Sequence, residues 1–103
     1  MKVIKELIEM IEEELEGAEH YVKCAIHYKH DYPGLANALY EISVQEMHHV
    51  SILHDEVVKV IKTYREKHGE PPTAMQAVYD WEHAKEVEES QNIKMLQAHF
   101  REK

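Results

Sequence analysis

The sequence predicts an all-α protein built from an antiparallel helical hairpin and a third helix. Helix-forming residues such as Glu, Ala, Leu and Lys dominate the chain. Apolar residues recur at the three-to-four-residue spacing of helices. The 3 glycines and 3 prolines cluster at positions 33–34 and 69–72, apart from one glycine, and so divide the chain into three periodic stretches. At 103 residues, we expect a single domain.

Each predicted helix has its own boundary residues. The helices are expected to span about residues 2–30, 33–68 and 74–101. Pro33 suits the first position of the second helix, with Asp31 or Tyr32 before it, and Gly69 suits the position just after its end. The stretch Thr73-Ala74-Met75-Gln76 is typical of a capping box that opens the third helix. The short turn between the first two helices predicts an antiparallel hairpin.

The charge balance and the cysteine content exclude several classes of function. Lys and Arg number 12 against 20 Asp and Glu, for a net charge of −8, which disfavours binding to nucleic acid. Carboxylates together with 9 histidines suit multivalent cations. The single cysteine, Cys24, excludes an intrachain disulfide and a multi-thiolate metal site. With no apolar run of ~20 residues and no signal-like start, we expect no membrane partner and a cytoplasmic location.

One glutamate interrupts the apolar face of the first predicted helix. At about 100° per residue, Glu14 falls in the middle of an apolar arc that covers roughly 200°. The apolar and small residues on its two sides are Ile4, Leu7, Ile11, Ala18, Val22 and Ala25, and Val3, Met10, Gly17, Tyr21 and Tyr28. The opposite, solvated face carries Glu9, Glu12, Glu13, Glu16 and Lys23. Because one neighbouring helix needs an arc of only ~100°, we expect this helix to have more than one packing partner.

The second predicted helix carries a glutamate and a histidine at a similar depth. Glu46 lies near the middle of its apolar arc and His49 at the edge, whereas His48 points away. Glu14 and His49 both lie roughly 25 Å from the turn, so the three side chains should meet. Unpaired carboxylates at that depth would cost several kcal/mol, and a bound cation would remove this cost. The alternatives are a structural hydrogen-bond network and a loosely packed, hydrated seam.

Other polar or reactive residues favour structural roles. His27 and His30 share the same spacing but lie near the turn, where surface or turn-capping roles are expected. Cys24 is expected to be a small buried residue, and Tyr21 to pack in the core or bond a ligand. In the third helix, an apolar stripe of Met75, Val78, Tyr79, Ile93, Leu96 and Phe100 is interrupted by Glu82, Glu86 and Glu89. These acids are expected to face solvent, with a cation path as the alternative.

Two stretches resemble the ligand helices of the ferritin-like superfamily. Residues 13–21 resemble the first ligand helix, in which the metal-binding Glu comes seven residues before a Tyr, and Glu14 holds that position. Residues 35–49 are similar to the second ligand helix of rubrerythrins and encapsulated ferritins, whose ligands correspond to Glu46 and His49. The resemblance covers about residues 5–65. It implies that Glu14, Glu46 and His49 are metal-binding and catalytic residues, forming half of a di-iron site that contains four Glu and two His.

A single hairpin is only half of such a site, so the resemblance implies a homodimer or a higher homo-oligomer with a four-helix core. It further implies ferroxidase activity for iron storage or detoxification, with manganese or zinc as alternative metals, and an access route near Glu13 and Glu16. The chain has no rubredoxin-like cysteine domain, and residues 96–103 do not resemble an encapsulin-docking tail, so an encapsulin shell is not expected. A metal buffer without turnover and a helical interaction module with structural carboxylates remain as alternatives.

Overall fold

The computed structural model describes residues 1–102 and contains three α-helices and no strand within them. Helix α1 spans Lys2–Tyr28, α2 spans Pro33–His68 and α3 spans Thr73–Arg101. The all-α prediction is confirmed. None of the three helices has an apolar stretch long enough to cross a membrane.

The helices form an elongated bundle with extents of 56 × 17 × 17 Å. Helices α1 and α2 make the most extensive pairing, and α3 contacts α1 more than it contacts α2. Because the chain reverses at both turns, α3 runs parallel to α1. The hairpin is therefore the main structural unit, and α3 covers one side of it.

Two apolar clusters form the core. The first contains residues from all three helices: Ile11, Leu15, Ala18, Val50 and Ile93. The second lies nearer the α1–α2 turn and contains Val22, Ala25, Ala36 and Phe100. The predicted interior position of Val78 is wrong, because its side chain is 57% exposed on α3.

A buried polar chain links the three helices between these clusters. The Ser43 hydroxyl donates to the Ala18 carbonyl oxygen at 2.7 Å, and the Gln97 side-chain amide donates to Ser43 at 3.1 Å. Ser43 and Gln97 are both buried. Because buried polar groups need partners, this chain of bonds fixes the register of the three helices.

The helix ends differ from the predicted boundaries in two places. Helix α1 ends at Tyr28 rather than near residue 30. The capping box is wrong: Pro72 precedes α3 in an extended conformation, Thr73 is already helical, and no side chain caps the end. The side-chain amide of Gln76 instead donates to Oδ1 of Asp80 at 2.8 Å. Gly69 follows α2 as predicted, with a φ of 77° that favours glycine.

The first residue after α1 makes contacts at the far end of α3. The Lys29 ammonium group donates to the main-chain carbonyl of Phe100 at 2.6 Å and also to that of Glu102. It also lies 5.4 Å from the centre of the Phe100 ring. The C-terminal ends of the two parallel helices are therefore joined through one lysine.

Candidate metal site

The hairpin brings together the two acids and the histidine that interrupt its apolar faces. One donor atom from each of Glu14, Glu46 and His49 lies within 4.8 Å of the other two. The Nδ1 atom of His49 lies 3.3 Å from Oε2 of Glu14. Helical phase puts these side chains on facing sides of α1 and α2, and the short turn puts them at the same level. The predicted convergence is confirmed, and their role as metal ligands stays a prediction.

The carboxyl group of Glu46 is perturbed by its surroundings in this site. The pKa of Glu46 is raised chiefly by a hydrogen bond with Glu14, then by burial and by the charge of Glu14, while His49 acts in the opposite direction. A divalent cation between the two carboxyl groups would offset the repulsion of their charges, so the donor set fits a metal ion.

A glycine makes room for one of the donors. Gly17 lies on α1 opposite Glu46, and a Cβ atom added there would lie 3.3 Å from Oε2 of Glu46. The absence of a side chain at Gly17 therefore lets the Glu46 carboxylate lie against the backbone of α1. This explains a glycine in the middle of a helix, where it costs about 1 kcal/mol relative to Ala.

The site opens onto one surface of the hairpin, the open face, formed by Val3, Met10, Glu14, Leu35 and His49. Val3, Met10 and Leu35 are 45%, 46% and 49% exposed. The side chains of Glu14 and His49 are 28% and 50% exposed. Helical phase turns this face away from the residues that pack on Ile93 of α3. Helix α1 packs on both α2 and α3, so the prediction of more than one packing partner is confirmed, and the part of its arc that carries Val3 and Met10 remains uncovered.

The other residues singled out from the sequence lie outside this group. Cys24 is half-buried rather than buried, with its sulfur 3.9 Å from Nε2 of His20. Tyr21 is half-buried, and its ring packs edge-on against His20. Four further candidates are exposed: Glu13, Glu16, His27 and His30.

A second group of donors was not predicted. His54 on α2 meets His83 and Glu86 on α3, again with one donor atom of each within 4.8 Å of the others. Two features of the sequence point to this group. His54 lies on the apolar arc of α2, and His83 and Glu86 are one helical turn apart on α3. Neither feature says which part of α3 packs beside His54.

Three acids of α3, Glu82, Glu86 and Glu89, are half-buried, so the expectation that they face solvent is wrong. The pKa of Glu86 is raised to about 7, first by burial and then by the charges of Glu82, Glu12 and Glu89. Glu12, expected on the solvated face of α1, is also half-buried. Its pKa is raised by burial and by a hydrogen bond with Glu82. Helix α3 packs along this flank of α1 and covers it.

One of these acids has an unsatisfied oxygen. The Oε2 atom of Glu82 is buried and has no hydrogen-bond partner among the described residues. The charge of the Glu82 carboxylate also raises the pKa values of its neighbours Glu12 and Glu86. The α1–α3 interface therefore carries more negative charge than its own residues neutralise.

Comparison with protein-family models, with curated proteins and with solved structures finds no match to this chain. The resemblance to ferritin-like proteins therefore remains one of sequence pattern.

Proposed function

We propose that two copies of this chain pair through the open faces of their hairpins and oxidise ferrous iron at a di-iron site between them. Each copy would supply Glu14, Glu46 and His49. The observation that supports this proposal is the convergence of these donors, within 4.8 Å of one another, on an otherwise apolar and uncovered face. The proposed architecture is a ferritin-like four-helix core made from two hairpins.

The ligand count and the exposed apolar residues both favour a second copy. Three donors from one chain leave open positions on a metal ion, and a two-fold pairing brings each donor beside its symmetry mate. Burying a Met or Leu side chain contributes roughly 1.5–3 kcal/mol, so covering Met10 and Leu35 would stabilise the pair. Helix α3 covers the other side of the hairpin and leaves the open face as the surface for this pairing.

The donor set suits the proposed reaction. Carboxylate oxygens and imidazole nitrogen are ligands for iron in both oxidation states. Glu14 and Glu46 would hold two cations close together, and the positive charge of the ions would favour the ionised carboxylates. Two ferrous ions would each give one electron, and dioxygen would accept both with two protons and leave as hydrogen peroxide. Peroxide as the oxidant would accept the same two electrons with two protons and give two waters.

The test compares chelator-stripped protein with protein loaded anaerobically with ferrous iron. We expect light scattering to show a dimer and metal analysis to show two iron ions bound per dimer. We expect rapid oxidation of the ferrous iron when air is admitted. Glu14→Ala and His49→Ala should abolish this oxidation and leave the helical circular dichroism unchanged. His48→Ala is the matched control, because His48 is exposed and points away from the site.

Three results would count against the proposal. Unchanged oxidation rates in Glu14→Ala and His49→Ala would show that the reaction occurs elsewhere. A monomer whose uptake of iron, manganese and zinc is unchanged by Glu14→Ala and His49→Ala would leave the carboxylates as structural groups in a helical interaction module. Iron uptake without oxidation would instead favour the metal-buffer alternative.

A further inference from the structure

A second set of metal-ligating side chains joins α2 to α3. His54 lies on α2, and His83 and Glu86 lie one turn apart on α3, with their donor atoms within 4.8 Å of one another. The two imidazole rings are stacked, with centroids 5.2 Å apart and an interplanar angle of 26°. We propose that this group, the clamp site, binds one divalent transition-metal ion of the zinc class and thereby fastens α3 to α2.

The donors match that class of ion. Two imidazoles and one carboxylate, with the remaining position open to water, form a common zinc ligand set. Ligands at ~2.0–2.1 Å on a tetrahedral zinc ion lie roughly 3.3 Å from one another. The donor atoms therefore need to approach by at most about 1.5 Å, which side-chain rotation supplies. His83 is exposed and His54 and Glu86 are half-buried, so an ion can reach the group from solvent.

The surrounding charge favours a cation independently of the histidines. The buried Oε2 atom of Glu82 has no hydrogen-bond partner among the described residues. Glu82 lines the same cavity as His54, His83 and Glu86. A divalent ion at the clamp site would offset the repulsion among these carboxylates, and the effect would be larger at a half-buried interface than in water.

The clamp site is separate from the open face. His54 comes five residues after His49, which is about 7.5 Å along α2 and roughly 140° around it. One copy of the chain carries all three donors, so no dimer is needed. The inference therefore does not depend on the proposed ferroxidase function.

Metal at this position would act on the weakest helix pair. Among the three pairings, that of α2 with α3 is the least extensive. An ion that binds only the folded chain stabilises it by mass action. At a hundredfold excess over its dissociation constant, we expect the melting temperature of this small domain to rise by roughly 10 °C.

The experiment uses the full chain with Glu14→Ala and His49→Ala, so that zinc at the open face does not contribute. Chelator-stripped protein is titrated with zinc alone by calorimetry. We expect one zinc per chain, the rise in melting temperature, and changes in the ring nitrogen resonances of His54 and His83. His83→Ala should weaken zinc binding at least a hundredfold, whereas His30→Ala, an exposed histidine in the α1–α2 turn, should not change it.

Three results would overturn the clamp site. Zinc affinity that is unchanged in His83→Ala and Glu86→Gln would exclude these donors. Zinc-dependent shifts confined to other histidines would place the ion elsewhere. Failure of zinc to bind the wild-type chain and the double variant, with helical content retained in both, would show that the group is structural. A loss of ferrous oxidation would not change any of these zinc measurements. Failure of the clamp site can therefore be distinguished from failure of the proposed ferroxidase function.

Discussion

Replacing Glu86 with glutamine should stabilise the protein at alkaline pH and leave it unchanged in acid. The pKa of Glu86 is raised from 4.5 to about 7 by burial and by neighbouring acids. The folded chain therefore binds this proton more tightly than the unfolded chain. Between pH 4.5 and 7 it holds more protons than the unfolded chain does, so stability falls as the pH rises through this window. Glu86→Gln removes the cost of the buried charge.

The size of the effect follows from the rise in the pKa. At about 1.36 kcal/mol per pKa unit, the full rise corresponds to ~3.4 kcal/mol above pH 7. Glu86 is only half-buried, and solvent screening reduces this figure to about 1–2 kcal/mol. At pH 5 the wild-type carboxyl is largely protonated in the folded chain, so the gain should be below about 0.5 kcal/mol.

The assay is urea unfolding followed by circular dichroism at pH 5 and pH 8, with a chelator present to keep metal off the clamp site. Glu88→Gln is the matched control, because Glu88 lies on the same helix and is exposed; its effect should stay below about 0.5 kcal/mol at both pH values. Equal gains for Glu86→Gln at pH 5 and pH 8 would refute the electrostatic reasoning. No gain at pH 8 would show that the charge is already solvated.

Three further predictions concern packing. If iron binds as proposed, Gly17→Ala should lower the iron affinity about tenfold, because its Cβ would lie 3.3 Å from Oε2 of Glu46. Urea unfolding of the same variant should show equal stability or a gain of up to about 1 kcal/mol. Ser43→Ala should cost about 1–3 kcal/mol in urea unfolding, because it leaves the buried Gln97 amide without its acceptor. Ile93→Ala should cost about 2–5 kcal/mol in the same assay, because the side chain is 1% exposed.

Each of these changes has a control at a similar residue. Gly34 has nothing within 4 Å of an added Cβ, so Gly34→Ala should leave iron affinity unchanged. Ser51→Ala and Val87→Ala alter exposed residues and should cost less than about 0.5 kcal/mol. Iron affinity equal to wild type in Gly17→Ala would show that Glu46 needs no such space. If Ser43→Ala lowers the free energy of unfolding no more than Ser51→Ala does, the hydrogen bonds described for Ser43 are contradicted. The same comparison of Ile93→Ala with Val87→Ala tests the burial of Ile93.

Features set by neighbouring residues in the chain could be predicted from the sequence. Pro33 and Gly69 mark the ends of α2 because their backbone preferences are local. The capping box failed for a related reason. A Thr three residues before a Gln fits either the cap or the first helical position, and the extended Pro72 makes Thr73 the first helical residue.

The two donor groups also differ in whether they could be predicted from the sequence. A short turn fixes both the level and the phase of α1 against α2, so the convergence of Glu14, Glu46 and His49 followed from counting residues. The clamp site depends on where α3 lies across both other helices. Helical phase describes each helix separately and does not contain that information, which is also why Glu12 was expected in solvent.

The contact between Lys29 and the end of α3 has a consequence for how the molecule opens. Parallel helices bring the partial negative charges of both C-termini to one end of the bundle, and the lysine cation offsets them. This end is thus held partly by electrostatic attraction, whereas apolar packing dominates the middle of the bundle. Rising ionic strength weakens only the attraction, so added salt should speed amide hydrogen exchange in the last turn of α3 before it affects the central turns.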